Sequence, residues 1–421
     1  MDHLAFPADQ SVKNLFGDEP PLESYGPIAL ITEQMEPAFA ERVNHQLSLR
    51  RHAMLKEQPD LEFVPGYVRK EYRKRCDLSR FSSGEGKAVL LDSVRGHDLY
   101  ILTDVLNCGA TYRRYGKEVS IAPDEHFQDL ARIVLSARDS ATRINVIMPY
   151  LYEGRRYHRK GRESLDCAMM LRQLFELGID NFITFDARDA RVANAVPRYN
   201  FESFPTSYQT IRTLLDKIQD LVIDRDHMMI VSPDESSISR SIFYASSMKL
   251  PLGIFYLRHD FKLIGGKTVR SSTRTYLGDS PEGKDILIVS DLLDSGNEFI
   301  ACATALKARG ARRIICAASF AQFTEGIAAM RQAWENGVVE RVFTTDMTYR
   351  SPELLSSPWY TSIPMADDLA LLITALNHDA SLSRLLAPAK RIATLVKRHT
   401  TRVGARRSLD HRQISFSDLQ Q

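Results

Sequence analysis

Short apolar runs rich in β-branched residues alternate, from Ile28 onward, with stretches whose apolar positions recur at helical spacing. Leu99 to Leu102, Ile144 to Met148, Phe182 to Phe185, Met228 to Val231, Ile286 to Val289 and Ile314 to Ala317 read as strands. Leu165 to Leu177 reads as a helix, with Gly178 as its stop. Alternation on this scale predicts an α/β fold of parallel sheets flanked by helices on both faces. The pattern runs twice, with a join near Pro197 to Pro205. The chain therefore divides into an N-terminal arm over 1–25, a first domain over 26–196, a second over 197–400 and a basic tail over 401–421. No short-period repeat is visible.

Composition narrows this picture only a little. The chain has 421 residues, 44% hydrophobic and 26% charged, which suits two folded domains. A formal net charge of +2 supplies no global field toward nucleic acid or membrane. No apolar run approaches the roughly 18–20 residues of a spanning helix. The first residues lack the charged-then-apolar order of a signal peptide. Five cysteines (Cys76, Cys108, Cys167, Cys302 and Cys316) lie far apart without a CxxC pair. A reduced, cytoplasmic protein with inert thiols is expected. Basic clusters at Arg69 to Arg75 and Lys397 to Arg407 read as a solvated helix face and a mobile tail. A polyanion-binding module is the rival reading, and no interleaved aromatic platform supports it.

Asp285 to Ile300 carries the clearest candidate chemistry. A buried apolar strand ends in Ser290-Asp291, followed by Asp294-Ser295-Gly296-Asn297-Glu298 and a helical pattern. A loop at a helix N-terminus can hold phosphate through backbone N–H groups and the helix dipole.

Four segments in order resemble the ribose-phosphate diphosphokinase (PRPP synthetase) family, in its longer bacterial branch. Phe81-Ser82-Ser83-Gly84-Glu85 with Ser93 to Asp98, and Met148 to Arg156 continuing to Ser164, resemble its nucleotide segments. Phe185-Asp186-Ala187-Arg188-Asp189 resembles its Asp-x-His segment, and Ser232-Pro233-Asp234-Glu235 with Ser290 to Phe299 resembles its diphosphate and ribose-phosphate loops. His126 to Leu130, Pro352 to Leu355 and Leu376 to Asp379 add the branch. The resemblance spans roughly Gly84 to Asn377. It implies two phosphoribosyltransferase-like (type I) domains, the second exchanging its last helices with the first. Phe81, Glu85, Arg155 and Arg156 would bind ATP or ADP. Asp291, Asp294, Ser295, Gly296, Asn297 and Glu298 would bind ribose 5-phosphate or PRPP. Asp234 would stand beside Mg²⁺, and Arg258 would serve catalysis.

Five departures from the family pattern bear on that chemistry. Arg188 stands at the metal-side His, and guanidinium has no lone pair for a cation. Leu257 stands at a catalytic Lys, and losing one charge-stabilising group commonly costs ~10²–10³ in rate. Ser236-Ser237 replace small, Gly-containing residues, and Ser290 replaces one of two acids. Glu298 replaces a hydroxyl that would face the 5-phosphate. Two unit charges 4 Å apart repel by about 4 kcal/mol at an effective dielectric of 20. The expectation is thus a catalytically impaired homologue, a regulatory or structural subunit that still binds nucleotide or phosphate. It would form homo-oligomers, or hetero-oligomers with an active homologue. The alternative is an active enzyme making PRPP and AMP from ATP and ribose 5-phosphate.

Overall fold

The computed structural model describes residues 24–159, 161–264 and 267–417, with the backbone alone for 258–264, 267–273 and 405–417. Most of the N-terminal arm therefore lies outside the described residues. Two compact units emerge, interleaved in sequence. One holds the chain up to Pro205 together with Asp346–Tyr349 and Pro364–Leu386; the other holds Thr206–Thr345, Arg350–Ile363 and the chain from Ala387. The contiguous division at 196/197 differs from this, because contacts distant in sequence bind 364–386 into the first unit.

The first unit is built on a parallel sheet of β1 (Ile28–Ile31), β4 (Asp98–Leu102), β7 (Arg143–Ile147), β8 (Asn181–Phe185) and β9 (Asn200–Phe204), in that spatial order. Two antiparallel hairpins accompany it: β2 (Cys76–Arg80) with β3 (Gly86–Leu90), and β5 (Thr111–Arg114) with β6 (Lys117–Ser120). Strands buried on both faces read as continuous apolar runs, which is why the sequence displayed them. The helix Asp166–Leu177 ends at Gly178, whose φ of 104° lets its N–H reach the Leu174 and Phe175 carbonyls. Pro123 opens the helix Pro123–Ala137, and Glu125 accepts the Ala122 N–H at 2.9 Å.

Asp98 organises the polar interior of this unit. Its carboxylate accepts from Arg143 at 2.8 and 2.9 Å, Asn145 at 2.8 Å, Asn377 at 2.8 Å and the Tyr100 hydroxyl at 2.6 Å. A buried carboxylate is tolerable when donors saturate it in this way. Arg51 continues the network to Asn377 and His378 while lying 4.1 Å from the Tyr67 ring centroid. Asn377 and His378, in the Leu376-to-Asp379 segment singled out in the sequence, are therefore part of this interior.

The Arg69 to Arg75 cluster is not a helix face. Tyr72 is fully buried, Leu30 bridges to Arg73, and the Lys74 N–H donates to the Leu30 carbonyl. Burying Tyr72 forces the segment to run extended beside β1. Arg73 pairs with Glu41 and Glu71, and Arg75 with Asp92.

The second unit has a seven-stranded sheet of β10 (Met228–Ser232), β11 (Leu252–Ile264), β12 (Lys267–Gly278), β13 (Asp285–Leu293), β14 (Arg313–Ala321), β15 (Arg341–Thr345) and β16 (Tyr360–Ile363). Spatial order is β12-β11-β10-β13-β14-β15-β16, parallel apart from the β11–β12 hairpin. After β10 the chain moves to one side, to β11. It returns on the other side of β10 as β13. The carboxyl ends of β10 and β13 therefore flank a topological switch point, where open α/β sheets form ligand crevices. The basic tail begins as part of a helix, Ala389–Ser417, with His399 buried and donating to the Leu221 carbonyl at 2.9 Å.

Candidate functional site

Two loops leave the switch point. The first follows β10, from Pro233 to Ser237, and enters the helix Ile238–Met248. Asp234 Oδ1 accepts the Ser236 hydroxyl and the Ser237 N–H, both at 2.7 Å, while the Ser232 hydroxyl donates to the Asp234 carbonyl. Asp234 thus shapes its own turn, as Asp does where a side-chain oxygen replaces a backbone acceptor. The second loop follows β13, from Asp294 to Gly296, and enters the helix Asn297–Lys307. Gly296 sits at φ 84° at the helix N-cap, a conformation L side chains resist. A Cβ there would lie 3.3 Å from the Met330 terminal methyl.

Hydroxyls join the first loop to β13. Ser237 Oγ and Ser290 Oγ lie 3.0 Å apart, and Ser290 also donates to Asp291 Oδ1 at 3.2 Å. Ser290 thus fills the departure from an acidic pair with a neutral bridge to the first loop. Asp291 is buried at the strand end. Asp294 accepts from the Thr324 hydroxyl at 2.7 Å, and the Ser295 hydroxyl accepts the Asn297 N–H. Asn297 donates its amide to Glu325 at 2.9 Å. On the neighbouring strand, Ser319 meets the Thr206 hydroxyl at 3.3 Å and Arg240 at 3.4 Å.

Glu298 occupies the first turn of its helix, where the dipole favours a carboxylate. Its Oε1 accepts from Arg274 of β12 at 2.8 Å, and Arg274 also donates to the Glu298 carbonyl at 3.1 Å. The same guanidinium reaches Cys302 Sγ at 3.5 Å, so it lies along the helix flank over Glu298 and the residue one turn on. Burial pushes the Cys302 thiol up to about 12. The sequence reading set Glu298 against a phosphate as a bare negative charge. Its pairing with Arg274 offsets part of that repulsion. Arg274, the Glu235 contact with Leu257 and the Ser237–Ser290 bridge are not apparent from sequence alone. The available signal was the Gly265-Gly266 dipeptide, a two-residue hairpin turn signature that would have set the flanking residues opposite each other.

The remaining expected residues fall elsewhere. Leu257 lies on β11, exposed, with its N–H donated to Glu235 Oε1 at 2.8 Å. Arg258 follows on the same strand, and its side chain lies outside the described residues, as do those of Lys262 and Lys267. Phe81, Glu85, Arg155, Arg156 and Arg188 belong to the first unit. Phe81 and Glu85 bound the tight turn of the β2–β3 hairpin, where the Phe81 N–H donates to the Glu85 carbonyl, and both are exposed. Arg155 and Arg156 lie exposed on a separate turn after β7, in which the Arg156 N–H donates to the Glu153 carbonyl. Burial, with Asp166 and Asp124 nearby, holds the Glu153 carboxyl above its ordinary value. Arg188 is half-buried after β8, following Asp186 at φ 46°.

The donor set does not fit a protein-built magnesium cage. Arg188 offers no lone pair. Asp234 Oδ1 already accepts two hydrogen bonds. Among the described residues, no group of three or more His, Cys, Asp or Glu could hold a metal ion. Also among the described residues, no helix is long and apolar enough to cross a membrane.

Sheet order, the switch-point loops and the hairpin define an α/β protein of two phosphoribosyltransferase-type domains with parallel sheets flanked by helices. The family model for the N-terminal domain of ribose phosphate pyrophosphokinase matches residues 28–178, and that for the phosphoribosyl transferase domain matches 199–338. The chain belongs to the ribose-phosphate pyrophosphokinase family. The ribose-phosphate pyrophosphokinase of Vibrio parahaemolyticus is 26% identical over 345 residues, covering 78% of this chain and 99% of the relative. That of Chromobacterium violaceum is 28% identical over 315 residues, covering 74% and 86%. The phosphoribosylpyrophosphate synthetase structure from Mycobacterium smegmatis shares the fold, with a TM-score of 0.64, 19% identity, and coverage of 84% of this chain and 99% of that one.

Proposed function

We propose that this chain is a nucleotide- and phosphate-binding member of its family in which diphosphoryl transfer is impaired, serving as a regulatory or structural subunit. The observation that carries this reading is the charge inventory of the switch-point crevice. Carboxylates Glu235 and Glu298 engage the hairpin, and Leu257 presents an aliphatic side chain where the family resemblance implies a cation. Moving a diphosphoryl group requires the charge on its oxygens to be neutralised, and positioning plus electrostatics supply nearly all the catalysis. Ligand binding asks less: Asp291 at the strand end, the Asp294–Gly296 loop and the helix dipole remain for a sugar phosphate. The first unit would contribute Phe81, Glu85, Arg155 and Arg156 to ATP or ADP. The chain would work in the cytoplasm as a homo-oligomer, or beside an active homologue.

A second reading, active ribose-phosphate pyrophosphokinase making PRPP and AMP, is favoured by the names of the relatives, one of which this chain covers almost completely. The comparisons support it more directly than they support impairment, and the Arg274–Glu298 pair softens the case against phosphate. Purified protein given ATP, ribose 5-phosphate and Mg²⁺ decides between them. AMP release dependent on all three, at the ~1–100 s⁻¹ typical of kinases, establishes the second reading. Calorimetric binding of ATP, ADP, ribose 5-phosphate or PRPP without turnover establishes the first.

A further inference from the structure

One rung of the long hairpin of the second unit is gripped from two sides. Leu257 of β11 and Arg274 of β12 are directly paired across the ladder. Pairing of β11 with β10 spans Leu252 to Ile254, so Leu257 lies beyond the support of the sheet. There Glu235 takes the Leu257 N–H at 2.8 Å, and Glu298 takes the Arg274 guanidinium at 2.8 Å. Glu235 comes from the loop after β10 and Glu298 from the helix turn after β13. Each strand of one rung is thus gripped by a carboxylate from a different ligand loop.

We infer that Glu235 and Glu298 form a clasp that fastens the base of the hairpin to both loops, and that a phosphate-bearing anion bound at the loops undoes it by drawing Arg274 from Glu298. The release step rests on the phosphate-binding reading above. The Arg274–Glu298 pair is partly exposed, with 25% and 43% of the side chains accessible, so its strength is modest. A phosphate offers guanidinium a bidentate partner of higher charge and therefore competes for it. The clasp also gives Glu298 a role that the helix dipole alone does not explain, because the dipole requires no partner on β12.

Amide hydrogen exchange on the full chain tests both steps, with β14 and β15 as internal controls against global unfolding. Glu235→Ala, which removes the acceptor of the Leu257 N–H, and Glu298→Gln, which removes the ion pair, should each accelerate exchange in β11 and β12 by about two- to five-fold, the scale of one hydrogen bond or one exposed ion pair. Arg274→Met should match Glu298→Gln, and combining the two should add nothing further. Inorganic diphosphate should accelerate exchange of the wild-type hairpin and leave Glu298→Gln unchanged. Variants that exchange like wild type, or Arg274→Met and Glu298→Gln acting independently, would overturn the clasp. Diphosphate that binds by calorimetry without moving hairpin exchange would overturn the release. Failure of calorimetric binding would remove the phosphate-binding reading and the release with it, while the variants still decide the clasp.

Discussion

The two units use the same architecture and treat their acidic residues differently. In the first, strand order β1-β4-β7-β8-β9 never reverses, so its sheet presents no switch point. Its central carboxylate, Asp98, is sealed inside and saturated by Arg143, Asn145, Asn377 and Tyr100. In the second, the order reverses at β10 and β13, and Asp234, Asp291 and Asp294 gather at strand ends and loops. Where winding is monotone, a buried acid serves the fold. Where winding reverses, a crevice opens with acids along its strand ends and loops. Asp98 and the acids around the crevice should therefore separate stability from sugar-phosphate binding.

The sharpest way to break this comparison is Asp98→Asn beside Asp291→Asn. Removing the Asp98 charge strands Arg143 in the interior, at a cost of about 3–5 kcal/mol, read as a lower urea midpoint. Asp291 receives the Ser290 hydroxyl, and its amide variant should cost only about 1 kcal/mol. That variant should instead weaken ribose 5-phosphate binding by calorimetry. Equal stability losses would show that both acids serve the fold.

Next in size is repair of the catalytic pattern. Arg188→His, Leu257→Lys, Ser290→Asp and Glu298→Thr combined should raise ribose 5-phosphate-dependent AMP release by at least ~10²-fold, the usual contribution of one charge-stabilising group. Each change should do little alone, since groups that act as a unit are strongly non-additive. A wild-type enzyme already at family rates, or one slowed by the repair, would favour the active reading.

Much of the fold was legible because buried parallel strands advertise themselves as unbroken apolar runs. Ile286 to Val289 grew only to Asp285–Leu293, and Leu165 to Leu177 became Asp166–Leu177. The long hairpin was not legible from hydrophobic pattern, since His259, Asp260, Arg270 and Ser271-Ser272 break any apolar alternation. Interleaving of the units, implied by the family resemblance, was hidden from local pattern for a different reason. It depends on side chains such as Asn377 reaching Asp98, and no local pattern encodes a contact 279 residues away. At the candidate site, the strand–turn–helix loop carrying Asp291 and Gly296 was legible from its own pattern, and the Asp234 loop from the family resemblance. Arg274 was not, because its meaning depends on a strand register that brings it to Glu298.

A pH series sharpens the comparison within the second unit. Burial alone would raise the Asp285 carboxyl, but hydrogen bonds and charge from Arg313 and Arg312 win and hold it below the usual carboxylate value. A depressed folded-state value stabilises the native protein above the unfolded carboxylate's pKa of about 4. That stabilisation is lost as pH falls through the lower folded value. Urea midpoints should therefore fall below about pH 4, and the gap between wild type and Asp285→Asn should narrow there. A gap that stays constant from about pH 7 to pH 3 would show that Asp285 keeps its ordinary titration.

The smallest expected effect tests whether the second loop is built for a ligand or merely for a turn. Gly296→Ala places a Cβ at φ 84°, close to Met330, Leu293 and Phe323. Left-handed backbone costs an L-residue roughly 1–2 kcal/mol, and the flexible end of Met330 can give way. The loop should keep its path while its N–H groups shift by a few tenths of an ångström. If those groups bind phosphate, ribose 5-phosphate affinity should drop more than the urea midpoint predicts, whereas ATP binding in the first unit stays unchanged. A loss of stability with full ribose 5-phosphate affinity would mean that Gly296 serves the turn alone, and that the crevice draws its ligand through Asp291 and the first loop.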